Sequence, residues 1–141
     1  MRRLLLLLDG DVQQIYDDAG ENFRPRFYPF LIELAHGKAL CIGDLAAIAQ
    51  VSQPAATQTI REMATAGWVK VRTGTDRRSR EVEISAAGRA LVGRIAPTWR
   101  AVAEAAAALD RELPVSLYQA VDAACAALER KPFRARIEEQ R

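Results

Sequence analysis

Residues 45–85 read LAAIAQVSQPAATQTIREMATAGWVKVRTGTDRRSREVEIS, and this stretch decides the fold. Leu45, Ala46 and Ala49 recur at helical spacing, which predicts a short helix over roughly Gly43 to Gln50. Val51 fills the turn after it. Ser52 is an N-cap residue, and Pro54 sits in a first helical turn, where a missing N–H costs little. Ala56, Ile60 and Met63, spaced by four and three, form the inward stripe of that next helix, and Gly67 ends it. Trp68, Val69 and Val71 then open a strand, Gly74 marks a bend, and Val82 and Ile84 lie on the returning strand. The hairpin tip, Thr73 to Ser79, is a surface loop.

Helix, turn, capped helix and arginine-tipped hairpin make a winged helix-turn-helix, residues 40–84. Moving outward, Val12, Ile15, Tyr16, Ala19 and Phe23 predict a first helix with Asp11 as its N-cap. A second helix is predicted near Tyr28, with Pro29 in its first turn, Phe30, Leu31, Leu34 and Ala35 inward, and Gly37 after its end. Leu40, Cys41 and Ile42 read as a short extended link. Ser85 caps a long fifth helix whose Leu91, Ile95, Thr98, Val102, Ala105 and Leu109 form a coiled-coil-like seam, with a kink expected at Pro97. A sixth helix runs from about Pro114 to Glu129, and FRARIEEQR forms a last turn or frays. The expected class is mainly α, an α+β winged helix-turn-helix of about six helices and a small β-hairpin wing. Residues 1–36 and 85–141 are helical arms, the whole being one domain of 141 residues. Two amphipathic arms at opposite chain ends predict a homodimer interlocked by its N- and C-terminal helices.

Composition narrows the function. Half of the residues are hydrophobic, enough for a core, and the net charge is only +2. The local balance says more. Arg61, Lys70, Arg72, Arg77, Arg78 and Arg80 cluster, opposed only by Glu62 and Asp76 before Glu81. Cys41, Cys125 and one histidine have no zinc-site spacing, so no metal or other cofactor is expected. The thiols read as reduced and mostly buried in a cytoplasmic protein. The start, MRRLLLLLDGD, imitates a signal peptide, but its apolar run is short and ends at Asp9, Gly10 and Asp11. It is too short to span a bilayer, so no membrane partner is expected, and it reads as an apolar arm that needs a partner surface. No Ser/His/Asp set, phosphate-cradling glycine loop or metal cluster is present, which argues against an enzyme.

With Ala56, Ile60 and Met63 inward, the capped helix turns Gln53, Ala55, Thr57, Gln58 and Arg61 outward. These side chains suit base edges in a DNA major groove. Gln58 pairs with adenine through its amide, Ala55 suits a thymine methyl, and Arg61 reaches a phosphate or guanine. Ser52 caps the helix, whose exposed N–H groups can hold a phosphate. Arg78 is the candidate for minor-groove insertion and Arg77 for a phosphate contact. The competing readings are a solvated helix face and a hairpin tip kept soluble by its arginines.

The chain resembles the MarR family, the multiple-antibiotic-resistance-type regulators. The likeness rests on Asp44 to Ala46, on VSQPAATQTIREMATAGWV from Val51 to Val69, on DRRSREVEIS from Asp76 to Ser85, and on Gly88. The family wing pattern is Asp-x-Arg, a strand, then Leu-Thr; here it is Asp76, Arg77, Arg78, then Ile84 and Ser85. The resemblance implies a homodimeric transcriptional regulator, usually a repressor, with a triangular dimer built from the first, fifth and sixth helices. It also implies that a small phenolic or lipophilic ligand, or an oxidant, weakens DNA binding, and that Asp76 orients a neighbouring arginine. Two positions depart from the family. Gln58 stands where arginine is frequent, which shifts the expected base from guanine to adenine. Cys41 stands where serine or threonine often caps the third helix, with Asp44 completing the pair. The reactive cysteine of the oxidant-sensing subgroup lies in the first helix, which has none here.

The expected function is therefore a double-stranded DNA-binding transcriptional regulator, a homodimeric repressor of a pseudo-palindromic operator released by a small effector. An aromatic or lipophilic effector has its candidate pocket among Tyr16, Phe23, Phe27, Tyr28, His36 and Trp99. Aromatics at helical spacing equally serve as core, and His36 also suits a helix C-terminus as a cation. The alternative is a winged helix used as a protein-interaction module without DNA binding. It predicts an acidic or apolar recognition helix and a neutral wing.

Overall fold

The computed structural model describes residues 2–74 and 80–141. In chain order it contains α1 (Arg2–Asp18), a 3-10 turn (Pro25–Phe27), α2 (Tyr28–Ala35), β1 (Leu40–Cys41), α3 (Ile42–Ile48) and α4 (Gln53–Thr65). Then follow β2 (Val69–Thr73), β3 (Arg80–Ile84), α5 (Ala86–Glu112), α6 (Leu117–Arg130) and α7 (Phe133–Glu138). The fold is a mainly helical winged helix-turn-helix with a three-stranded antiparallel sheet in the order β1-β3-β2. The chain divides into two compact units, residues 1–96 and 97–141, with the division at Pro97 inside α5.

In the first unit the core is built from the stripes that the spacing predicts. Phe30, Leu31 and Leu34 of α2, Leu45 and Ala46 of α3, and Ala56, Ile60 and Met63 of α4 are all buried. Val69, Val82 and Ile84 of the sheet and Leu91 and Ile95 of α5 join them. Local chemistry sets the ends of α4. The Ser52 hydroxyl accepts from Ala55 N at 3.4 Å. At the other end Gly67 has φ +79, a left-handed conformation that costs glycine little. Gly67 N donates to Ala64 O at 2.9 Å and Trp68 N to Met63 O at 3.0 Å. This reciprocal pair satisfies orphan carbonyls and turns the chain into β2. Register between β2 and β3 runs from Val69↔Ile84 to Thr73↔Arg80.

In the second unit Ser116 caps α6, accepting from Gln119 N at 3.3 Å. The Asp110 carboxylate accepts from Leu117 N at 2.7 Å. Hydrogen bonding from Ser116, then from backbone amides, holds that carboxyl below its usual range. Arg136 on α7 donates to the carbonyls of Ala127 at 2.9 Å and Lys131 at 3.2 Å. Neither α6 nor α7 has a buried residue, and Val115, Tyr118, Phe133 and Ile137 lie exposed. Leu5, Leu6 and Leu7 of α1 are also exposed. No helix among the described residues is long and apolar enough to cross a membrane.

Several boundaries differ from expectation. Asp11 is not an N-cap, because α1 begins at Arg2 and runs through Asp9, Gly10 and Asp11. Leucine favours helix, and a glycine with open space around it costs only about 1 kcal/mol. Phe23 lies beyond α1, which ends at Asp18 before Gly20 turns at φ +68. The extended link at Leu40 and Cys41 is a third strand, paired with Val82 and Glu81 of β3. Its free backbone groups are taken up by the sheet. α3 begins at Ile42 rather than Gly43, and α6 begins after Ser116 rather than near Pro114. The final segment is a true short helix, which brings the described α-helices to seven. α5 continues as helix through Pro97.

Candidate nucleic-acid interface

The burial of Ala56, Thr59, Ile60 and Met63 fixes how α4 is rolled against the first unit. The opposite face therefore turns out Gln53, Ala55, Gln58 and Arg61, all exposed, with Thr57 half-buried beside them. The Thr57 hydroxyl donates back to Gln53 O at 2.8 Å, so in this state it serves its own helix. Ser52, at φ −66 and ψ 150, is the cap. Ahead of it Gln50 adopts φ +54, and Val51 in the turn is solvent-facing. Pairing of Ala49, Gln50 and Val51 amides with the carbonyls of Leu45, Ala47 and Ala46 tightens that turn.

Gln58 is embedded in a chain of charged partners. Its Nε2 donates to Glu62 Oε1 at 3.3 Å, and Arg61 Nη1 lies 3.5 Å from its Oε1, a long contact. Glu62 in turn accepts from Arg26 of the 3-10 turn. That bond, and to a lesser degree the one from Gln58, keeps the half-exposed Glu62 carboxyl below its usual range. The Arg26 guanidinium also lies over the Phe27 ring, 5.2 Å from its centroid. Sequence reading missed Glu62 and Arg26. Glu62 was findable from its i,i+4 spacing to Gln58; Arg26, 36 residues from its partner, carried no such signal.

Beside α4 lies an open groove of about 350 Å³ lined by Thr57, Arg61, Val71 and Arg80, among others. It brings the base of the hairpin against the flank of the helix, with two guanidinium groups on one cleft. Lys70, Arg72 and Arg80 are exposed along the strands, and Arg72 pairs across them with Glu83 at 2.6 Å. Asp76, Arg77 and Arg78 lie outside the described residues.

The candidate effector residues separate into groups. Tyr16, Phe23 and Phe27 are buried together, with ring centroids 4.9 Å apart for Tyr16–Phe23 and 5.8 Å for Phe23–Phe27. Trp68, absent from the candidate set, completes the cluster at 5.5 Å from Phe27. Tyr28 is exposed. His36 is the exposed C-cap of α2, 3.8 Å from Glu33. Trp99 belongs to the second unit. Among the described residues no three His, Cys, Asp or Glu side chains gather as metal ligands.

Comparison with known proteins agrees with this fold. Residues 26–79 match the MarR family model. Among solved structures, the chain is similar to the Mycobacterium tuberculosis transcriptional regulator MOSR in complex with DNA. The TM-score is 0.74 at 22% identity, over 94% of each chain. It is similar to a Streptomyces coelicolor MarR family regulator in complex with DNA, with TM-score 0.69 and 22% identity over 89% of this chain and 83% of that one. It is also similar to Bordetella bronchiseptica BpsR, whose DNA binding is regulated by 6-hydroxynicotinic acid. There the TM-score is 0.66 at 21% identity, over 74% of each chain. No curated protein matches. At these identities the neighbours speak for the fold, and the segment similar to the MarR family model holds the whole helix-turn-helix and the strand that follows it.

Proposed function

We propose that this chain is a homodimeric repressor that binds a pseudo-palindromic double-stranded operator and is released by a small effector. The observation that carries the reading is the roll of α4. Its apolar stripe is fully buried, so Gln53, Ala55, Gln58 and Arg61 share one exposed face, next to the Arg61–Arg80 groove. A helix of that size and polarity enters a major groove, and a basic hairpin beside it reaches phosphate or the adjacent minor groove. Ser52 and the amides at the start of α4 supply a further phosphate contact. Arg77 and Arg78 at the hairpin tip are assigned phosphate and minor-groove contacts, with Asp76 orienting them. The exposed apolar side chains of α1, α6 and α7 give the dimer its surface. Two copies then present recognition helices to half-sites roughly one helical turn apart.

The effector is assigned to the small aromatic class, in line with the hydroxynicotinate-regulated neighbour. In the first unit its candidate contacts are Tyr16, Phe23, Phe27, Tyr28 and His36. The first three already fill one another's space, so a ligand entering there has to loosen that packing. Such a rearrangement is a route from binding to release.

The test is a salt-titrated mobility shift of the full chain on duplex DNA from upstream of its own gene. Shifts of defined stoichiometry, weakening steeply with salt, are expected. A chain that leaves all duplex DNA unshifted at low salt overturns the proposal in favour of a protein-interaction module.

A further inference from the structure

We propose that Glu62, anchored by Arg26, is a positioning residue that fixes which way round the Gln58 amide faces DNA, and so sets the base polarity this helix reads. The inference rests on the DNA-binding reading above and deepens it.

A glutamine side chain carries a donor end and an acceptor end that differ little in shape. Turning the amide over exchanges them and inverts the pattern offered to a base pair. Gln58 has neighbours that choose between the two orientations. On one side is a carboxylate, which only accepts; on the other is a guanidinium, which only donates. Gln58 Nε2 faces Glu62 Oε1 at 3.3 Å, and its Oε1 faces Arg61 Nη1 at 3.5 Å. Turned over, the amide would set oxygen against carboxylate and nitrogen against guanidinium. Each contact is long and exposed, so its strength is small, but both favour the same orientation.

Glu62 can hold this bias only if it is held itself. Arg26 does so from outside α4, bonding the carboxylate while stacking on Phe27, a buried ring. The anchor is thus tied to the core. It also offsets a negative charge on the helix presented to DNA. The amide keeps one N–H and one oxygen lone pair for a base edge. Adenine offers N7 as acceptor and N6 as donor. With donor and acceptor in a set order, an adenine fits in one strand orientation and its exchange for thymine does not.

Selection from a randomised duplex library tests this, using the full-length protein, Glu62→Gln, Gln58→Ala and the double variant. A neutral amide at position 62 can accept from or donate to Gln58, so it no longer chooses. Glu62→Gln is expected to lower discrimination at one base pair of each half-site by about twofold. That is the same position at which Gln58→Ala loses preference. Preferences elsewhere are kept, and total affinity rises because an anionic group is gone. In the Gln58→Ala background Glu62→Gln is expected to change discrimination no further. Discrimination left intact by Glu62→Gln, or lost equally at every position, overturns the positioning role while leaving DNA recognition standing. A wild-type protein that enriches no sequence overturns both.

Discussion

The side chain that Gly88 lacks would begin 2.1 Å from the carbonyl oxygen of Trp68 and 2.8 Å from Ile84 Cγ1. The first turn of α5 therefore rests directly on the backbone that leaves α4. Ser85 completes the joint: its hydroxyl donates to Gly67 O at 2.6 Å and accepts from Gly88 N at 3.0 Å, while its own N–H donates to Trp68 O at 2.9 Å. α4, the hairpin and α5 are locked at one point.

Gly88→Ala follows from this contact. In an open helix the change would gain about 1 kcal/mol. Here backbone must move, and overpacking costs about 1–3 kcal/mol or more. The clash prevails, and a net loss of about 2 kcal/mol is expected in urea unfolding. A more stable variant would show that α5 can lift away without cost.

Cys41 caps α3 through a thiol that accepts from Asp44 N at 3.3 Å. Sulfur is a weak acceptor, and serine is a favoured cap. Cys41→Ser is expected to stabilise the protein by roughly 0.5–1 kcal/mol. The unfolding midpoint with and without a reductant checks this and separates capping from oxidation.

Phe23 is fully buried amid Tyr16, Phe27 and Trp68. Phe23→Ala is expected to cost about 3–5 kcal/mol, enough to unfold a marginal domain. Circular dichroism melting reads the loss. Survival of the melting temperature would mean that the cluster collapses onto the space left behind.

At the proposed interface the expected signatures differ by residue. Arg78→Ala should reduce the slope of log affinity against log salt by about one unit. Gln58→Ala should instead lose about 1–3 kcal/mol of discrimination at one base pair. An unchanged slope removes Arg78 from the contact, and a uniform loss across operator variants removes Gln58 from base reading.

The pair Arg94–Glu21, bidentate at 2.6 and 3.0 Å, ties α5 to the segment after α1. The Arg94 hydrogen bond is the largest cause holding the Glu21 carboxyl below its usual range. A lowered folded pKa means a contribution fully present above the ordinary glutamate value and lost as pH falls through the lowered one. The stability gap between wild type and Arg94→Met should be level from roughly pH 8 to 6 and close below about pH 4. Unfolding midpoints across that range supply the measurement.

Much of the first unit was readable before any coordinates. Ser52 and Gly67 mark the ends of α4 because capping is chemistry within a few residues. Ala56, Ile60 and Met63 mark its inner face because burial follows helical spacing. The same reasoning misplaced the start of α1, where Asp11 offers a cap that a run of leucines upstream makes unnecessary. It also missed β1, since two residues are too few to show a period.

The order of the sequence alone determined the helix-turn-helix, its wing and the outward row on α4, because each rests on signals between near neighbours. Tertiary structure alone decided that Arg26 holds Glu62, that Leu40 and Cys41 pair with β3, and that Gly88 must have no side chain. Those contacts join residues 20 to 42 positions apart. No local pattern encodes such a meeting; it follows from how the separate elements fill the space between them.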